Sequence, residues 1–118
     1  MDQVKQDLEE NRQDVVNFVE KMDTARTAVK KTKRAFRIWI EGKKLVAAQF
    51  DCGVRYNVYY SDDSIELCIN ESGHRAVTAS RPIIDLHDQK IGEIFNEGDS
   101  IEVSYYAHGL ITFKKENS

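Results

Sequence analysis

The chain of 118 residues has few of the features that mark membrane, secreted or metal-binding proteins. No apolar run approaches the roughly 20 residues that a membrane-spanning helix needs, so we predict no membrane partner. Two cysteines, Cys52 and Cys68, lack metal-ligand spacing and are too few for a disulfide framework. The acidic start, MDQVKQDLEE, has no apolar core of the kind found in a signal peptide. We therefore expect a cytoplasmic protein with reduced thiols.

The motifs of common enzyme classes are absent as well. The sequence contains no HExxH, no Ser-x-x-Lys and no glycine-rich phosphate loop. Asp85, His87 and Asp88 could form only a weak metal triplet, for which ordinary surface polarity is the simpler interpretation. We predict a protein that is not an enzyme, holds no metal and needs no cofactor.

The net charge of −3 conceals three segments of different sign. Residues 1–23 carry a net charge of −4 and residues 45–118 a net charge of −6. Between them, residues 24–44 hold eight bases against Glu41 alone, a net charge of +7. A local positive field can therefore exist on an acidic protein, which makes a nucleic acid a candidate partner.

The N-terminal third lacks glycine and proline from residue 3 to about residue 31. Its apolar positions alternate in steps of four and three, which is typical of a coiled-coil seam, with a polar residue at one position. The sequence predicts a helical arm over residues 1–33 that either pairs with a second chain, giving a homodimer, or packs on its own domain. The oligomerisation residues predicted by this pattern are Val4, Leu8, Asn11, Val15, Phe18 and Met22.

After residue 33 the apolar period becomes two, which indicates strands. The strand pattern occurs twice, since KLVAAQFDCGVRYNVYY at 44–60 corresponds to KIGEIFNEGDSIEVSYY at 90–106. The shift is 46 before Phe95, 45 up to Val103 and 46 again afterwards, so we expect a β-bulge near Ser104. Residues 70–80 are polar and small and are interpreted as a linker.

One copy of this repeat is too small to enclose a core, whereas two could remove each other's exposed edges. The sequence therefore predicts a mainly β protein with an N-terminal α-helix. Residues 34–118 should form a small pseudo-symmetric β-barrel from two strand-loop-hairpin units, 34–70 and 81–115. Gly53 should adopt a positive φ where the chain reverses.

Residues 36–69, FRIWIEGKKLVAAQFDCGVRYNVYYSDDSIELCI, resemble the AbrB/MazE-like swapped-hairpin unit, and within it the SymE-like branch. Residues 81–113 match more loosely, and small domains beside phage-type DNA methyltransferases are also similar. The resemblance implies a barrel of two interleaved units that acts as a DNA-binding antitoxin or regulator, with both units here in one chain. Gln49 departs from the family pattern, which prefers glycine there, and Asp85 and Asp88 place acids in the second unit.

The resemblance implies DNA contacts from Arg34, Arg37, Lys43 and Lys44, with Arg55 and Arg81 as lesser candidates. The charge segment adds Lys30, Lys31 and Lys33, because clustered bases neutralise phosphates. A solvated hinge between arm and barrel is the alternative interpretation of these bases. Trp39 is either a stacking platform or a residue packed beneath a helix.

These observations predict a non-enzymatic DNA-binding module, antitoxin-like or accessory to a DNA-modifying system. The alternative is a protein-binding inhibitor or adaptor of a nucleic-acid enzyme, encoded by a phage or mobile element, that uses the acidic surface of residues 45–118.

Overall fold

The structure, a computed structural model, describes residues 20–116, which are mainly β. This part of the chain contains nine strands and two short helices. In order, they are β1 (Lys21–Ala28), β2 (Lys30–Lys31), β3 (Phe36–Glu41), α1 (Lys43–Ala47), β4 (Arg55–Tyr60), β5 (Ser64–Ile69), β6 (Arg75–Ala76), β7 (Ile83–Asp88), α2 (Ile91–Ile94), β8 (Ser100–Tyr106) and β9 (Leu110–Lys115).

The strands form two antiparallel sheets. The larger sheet has the order β1-β8-β9-β5-β4-β6, and the smaller has the order β2-β3-β7. Neither sheet closes, because the outer strands of each are not hydrogen-bonded to one another. The prediction of a mainly β protein is therefore confirmed, and the prediction of a closed barrel is wrong.

The predicted N-terminal helix is wrong for residues 21–31, which form β1 and β2 with Val29 between them. Residues Lys21–Ala28 form β1, which pairs with β8 from Lys21 opposite Tyr106 to Ala28 opposite Ser100. This pairing satisfies the backbone of β1 and outweighs the modest helix preference of its residues. Met22, the last predicted oligomerisation residue, lies on β1 and is 47% exposed. The other seam residues, Val4, Leu8, Asn11, Val15 and Phe18, lie outside the described residues.

The pairing of the central strands follows the repeat in the sequence. In the smaller sheet Trp39 of β3 lies opposite Asp85 of β7, and these positions differ by 46 residues. In the larger sheet Glu66 of β5 lies opposite Thr112 of β9, again 46 residues apart. In each sheet, one residue pair at the centre thus joins equivalent residues of the two copies. An approximate twofold axis between the copies would pass through these two pairs.

The relation extends to segments that the sequence did not assign to the repeat. Gly53 donates its N–H to the carbonyl of Val77, and Gly98 donates in the same way to Val29. Both valines are at least 98% buried. The interpretation of residues 70–80 as a linker is therefore wrong, because this segment supplies β6 and a core residue.

The β-bulge expected near Ser104 is not present in the pairing of β8 with β9; the register shift that does occur nearby lies in β1, between Lys21 and Asp23, opposite Tyr106 and Tyr105. The register of β8 and β9 is unbroken from Ile101 opposite Lys115 to Tyr106 opposite Leu110. The additional residue lies instead in the turn, since three residues connect β8 to β9 beyond this last pair. In the first copy the Ser61 N–H donates to the carbonyl of Ser64, so only two residues remain at the tip.

The core lies between the two sheets and is supplied by both copies of the repeat. Phe50 and Phe95, which occupy equivalent positions, are both buried in it together with Leu45 and Ile91 from the two helices. Gly53 has φ of 80°, as predicted. In residues 20–116 no helix is long and apolar enough to cross a membrane.

Candidate nucleic-acid interface

Residues 30–37, KKTKRAFR, form a hairpin that we call the basic hairpin. Lys30 pairs with Arg37 and Lys31 with Phe36, and residues 32–35 make the turn. Five of its eight residues are basic and none is acidic: Lys30, Lys31, Lys33, Arg34 and Arg37. The hairpin therefore brings together, on eight residues, five of the eight bases that the sequence places between residues 24 and 44.

Hydrogen bonds fix the turn of the basic hairpin. The Thr32 N–H donates to the carbonyl of Ala35 at 2.8 Å, and the Ala35 N–H donates to Thr32 Oγ1 at 3.2 Å. Thr32 Oγ1 also lies 2.8 Å from His87 Nε2 on β7. Gln89 Nε2 donates to the carbonyl of Arg34 at 2.9 Å. The turn that carries Lys33 and Arg34 is thus held by hydrogen bonds to residues at the end of β7.

Phe36 packs the base of the hairpin against α2. Gly92 faces its ring so closely that a Cβ at that position would overlap the Phe36 side chain. On the outside, Lys31 Nζ lies 5.9 Å from the centre of the same ring. Glycine at position 92 therefore lets the hairpin approach α2, and the Lys31 ammonium makes a cation–π contact with the packed Phe36 ring.

Among the described residues, Arg37 is the one base of the hairpin that an internal carboxylate neutralises. Arg37 Nε and a terminal guanidinium nitrogen bind the two carboxylate oxygens of Asp85 at 2.8 and 2.9 Å. These hydrogen bonds raise the pKa of Arg37 above its ordinary value. Within residues 20–116, no ion pair involves the other four: Lys30, Lys31, Lys33 and Arg34.

Trp39 lies two residues beyond Arg37 on the same outer face of β3. Its side chain is 37% exposed, and the Arg37 guanidinium lies 4.8 Å from the centre of its ring. Strand β1, not a helix, adjoins it among the described residues, since Thr27 Oγ1 donates to the Trp39 carbonyl at 3.0 Å. The interpretation of Trp39 as a residue packed beneath a helix therefore finds no support in this part of the chain.

Three further predicted bases lie at the far end of β3, about 20 Å from the turn of the hairpin by the length of six strand residues. Lys43 and Lys44 begin α1, and Lys44 Nζ reaches the Thr24 carbonyl at 2.5 Å and Asp23 at 3.5 Å. Arg81 lies 3.9 Å from Glu41. Lys44 and Arg81 are engaged by neighbouring strands, whereas Lys43 is exposed.

Arg55, the remaining predicted base, starts β4 in the larger sheet. Its Nε donates to the Gly73 carbonyl at 2.8 Å, which ties β4 to the loop before β6. Gly73 approaches the Tyr56 backbone so closely that a Cβ would lie 2.5 Å from the Tyr56 oxygen. Arg55 therefore holds a tight backbone contact and does not belong to the basic hairpin.

The second copy of the repeat has a hairpin at the equivalent place but little charge on it. Thr78 donates its N–H to the Ile83 carbonyl, which makes this pair equivalent to Lys30 and Arg37. Four residues, ASRP, connect the pair, where six connect it in the first copy. Arg81 is the single base there, so the two hairpins share a position and differ in charge.

A second polar cluster joins β4, β6 and β7. Asp88 lies 3.4 Å from Arg75 and accepts a hydrogen bond of 3.4 Å from the Tyr60 hydroxyl. Burial, followed by the nearby Asp88, raises the pKa of Tyr60. In the described part of the chain no three His, Cys, Asp or Glu residues are placed to hold a metal ion. The cluster therefore ties strands together.

Sequence reasoning missed the residues that hold the hairpin, namely Asp85 as the partner of Arg37 and His87 and Gln89 at the turn. The repeat contained a usable signal for Asp85. When equivalent strands pair antiparallel about a twofold axis, one residue at the centre faces its own equivalent, here Trp39 opposite Asp85. Arg37, two residues along β3, then lies diagonally across from Asp85. No comparable signal pointed to Gln89, whose contact depends on how the turn folds.

No family model, no curated protein and no solved structure matches the chain. The resemblance to the AbrB/MazE-like unit and its SymE-like branch therefore stays a prediction.

Proposed function

We propose that the protein is a non-enzymatic DNA-binding module whose basic hairpin contacts the phosphate backbone. The observation that carries the proposal is the gathering of four bases, which make no ion pair within residues 20–116, on one anchored hairpin. Clustered lysine and arginine neutralise phosphates and release condensed counterions, which supplies most non-specific affinity. The hydrogen bonds around Thr32 support it further, because a fixed turn loses little conformational freedom on binding.

The unequal charge of the two equivalent hairpins also supports this proposal. If the bases served only to keep the protein soluble, nothing would concentrate them on one hairpin and leave the other with Arg81 alone. The predicted antitoxin-like or accessory role in a DNA-modifying system, the cytoplasmic location and the homodimer through the N-terminal segment are parts of the same proposal.

Fluorescence anisotropy with a labelled DNA of mixed sequence tests the proposal. For four phosphate contacts we expect a slope of log affinity against log salt of about −3 to −4, with a roughly 100-fold loss between 50 and 200 mM salt. Absence of binding at 50 mM salt would contradict the proposal.

A pair of double variants tests the place of contact. Lys33→Ser with Arg34→Ser removes two bases from the turn, and we expect the slope to become shallower by about 2. Lys43→Ser with Lys114→Ser removes two exposed bases outside the hairpin and should leave the slope nearly unchanged. Equal losses from both pairs would show that net charge, not the hairpin, governs binding.

The alternative, a protein-binding inhibitor or adaptor, lacks a gathered site in the described residues. Asp51 precedes β4 and Asp62 and Asp63 follow it, so these exposed acids lie at opposite ends of one strand. This alternative stays a prediction from charge alone.

A further inference from the structure

An open cavity of about 450 Å³ lies beside the basic hairpin, between β1 and β3. Its walls are Thr27 and Ala28 on one side, with Lys30, Arg37 and Trp39 on the other. The volume falls in the range of small-ligand sites. Trp39 is the single tryptophan of the chain and exposes more than a third of its side chain here.

The cavity is held open by the fold. The chain passes from the larger to the smaller sheet at Val29, which is buried and bonded to the backbone of Gly98 and Asp99. The hydrogen bond from Thr27 Oγ1 to the Trp39 carbonyl then fixes the separation of β1 and β3 at this corner. A ligand would therefore meet a formed site.

Arg37 extends the stacking surface of Trp39. Its guanidinium lies over the indole at 4.8 Å and is held in orientation by both oxygens of Asp85. A planar guanidinium stacked on an aromatic ring offers nucleobases a further flat surface. Because the Asp85 pair immobilises it, this surface needs no ordering when a base arrives.

An aromatic surface beside basic side chains that make no ion pair in the described part of the chain has the chemistry of a nucleotide site: a nucleobase stacks on the ring and phosphates lie along the cations. In a duplex the faces of the bases are covered by their neighbours, so the tryptophan could reach only an unpaired base. We infer that the basic hairpin binds single-stranded DNA, with one unpaired base stacked in the Trp39 cavity and the backbone running along Lys30 toward Lys33. This inference rests on the proposed function and specifies its substrate.

Titration of the full chain with a 15-nucleotide oligo(dT) and with a 15-base-pair duplex tests the inference. We expect the single strand to bind more tightly and to quench the fluorescence of Trp39, because stacking places the base against the indole. Trp39→Leu should weaken binding of oligo(dT) about 5- to 100-fold, the range found when a stacking aromatic is removed. Tyr59→Leu is the matched control, since Tyr59 is also 37% exposed but lies on β4 in the other sheet.

The outcomes separate this inference from the proposed function. If duplex and single strand bind equally and Trp39→Leu leaves both affinities unchanged, single-strand recognition is overturned while DNA binding stands. If neither DNA binds at 50 mM salt, both fail. If oligo(dT) binds without quenching Trp39, the cavity is not where the base lies and the inference is overturned. Far-ultraviolet circular dichroism of each variant checks that the sheets are retained.

Discussion

Replacing Asp85 by asparagine tests whether this residue masks a base of the hairpin. In the native protein its carboxylate binds Arg37 through two hydrogen bonds of 2.8 and 2.9 Å, so one positive charge of the hairpin is neutralised. Asp85→Asn removes the negative charge and keeps a side chain of the same shape, which can still accept a hydrogen bond. The hairpin and its partner then change from a net charge of +4 to +5.

The size of the effect follows from the charge of one additional phosphate contact. Each contact contributes about 0.9 to the salt slope on a duplex and about 0.7 on a single strand. Over a fourfold change in salt this corresponds to a factor of roughly 3. We therefore expect Asp85→Asn to bind duplex DNA, which offers no base for stacking on Arg37, more tightly at 50 mM salt, and its advantage to shrink about threefold by 200 mM. Stability should change by less than about 1 kcal/mol, because the pair is partly exposed to solvent.

Anisotropy titrations at several salt concentrations measure this change, and urea unfolding measures the stability. Asp63→Asn is the control, since it removes the same charge from an exposed turn at the end of β4. An equal gain from both variants would mean that overall charge is responsible. If Asp85→Asn weakens binding of duplex DNA or leaves its salt slope unchanged, Asp85 does not mask Arg37 and the reasoning is refuted.

Three further predictions concern the fold. Gln49 follows α1 with φ of 74°, so Gln49→Gly should raise the free energy of unfolding in urea by about 0.5–1 kcal/mol; a decrease would contradict this explanation. Gly92→Ala should lower it by about 1–3 kcal/mol and weaken DNA binding, because Phe36 must move; unchanged binding would separate α2 from the hairpin. Burial raises the pKa of Tyr56 and of Tyr105 to about 12. Because both hydroxyls ionise at lower pH in the unfolded chain, the stability that they contribute is complete below pH 10 and is lost as the pH rises toward 12. At pH 11 the loss is about 1.4 kcal/mol per tyrosine. Tyr105→Phe should halve that loss between pH 8 and 11, and an undiminished loss would contradict the assignment.

The repeat made much of the β region predictable from the sequence. The period of two located the core-facing residues of β3, such as Ile38 and Ile40, and the recurring Phe and Gly located the reversals at Gly53 and Gly98. These features are local, because a few neighbouring residues determine which face of a strand is apolar and where a positive φ is favoured. Sheet closure is not local, which is why the predicted barrel was wrong.

The N-terminal boundary shows the limit of periodicity. Met22, Ala25 and Val29 fit a helical seam, yet residues 21–28 form a strand because β8 offers a partner along its whole length. A heptad pattern of moderate helix formers carries little free energy against a ladder of seven paired residues. The sequence of β1 alone does not indicate that β8 is its partner, because β8 lies some 75 residues away in the chain.

The candidate site was half predictable for a related reason. Charge clustering nominated Lys30, Lys31 and Lys33, and the family resemblance nominated Arg34. Their separation from Lys43 and Lys44 required knowing that β3 runs between the two groups. All of these bases lie in one segment of the sequence, but the extended strand β3 separates the hairpin bases from Lys43 and Lys44 in space. Proximity along a chain indicates proximity in space only where no extended element intervenes.

The two copies of the repeat show how similar cores can carry different surfaces. Buried positions correspond closely, with Phe50 matching Phe95 and Val29 matching Val77, because both copies must fill one shared interior. The hairpins that lie outside that interior are under no such constraint. One has six connecting residues and five bases, and the other has four connecting residues and one base. A large difference in charge between equivalent exposed hairpins is what a binding function on one copy would produce, and this is why the basic hairpin, and not the acidic remainder of the chain, carries the proposal.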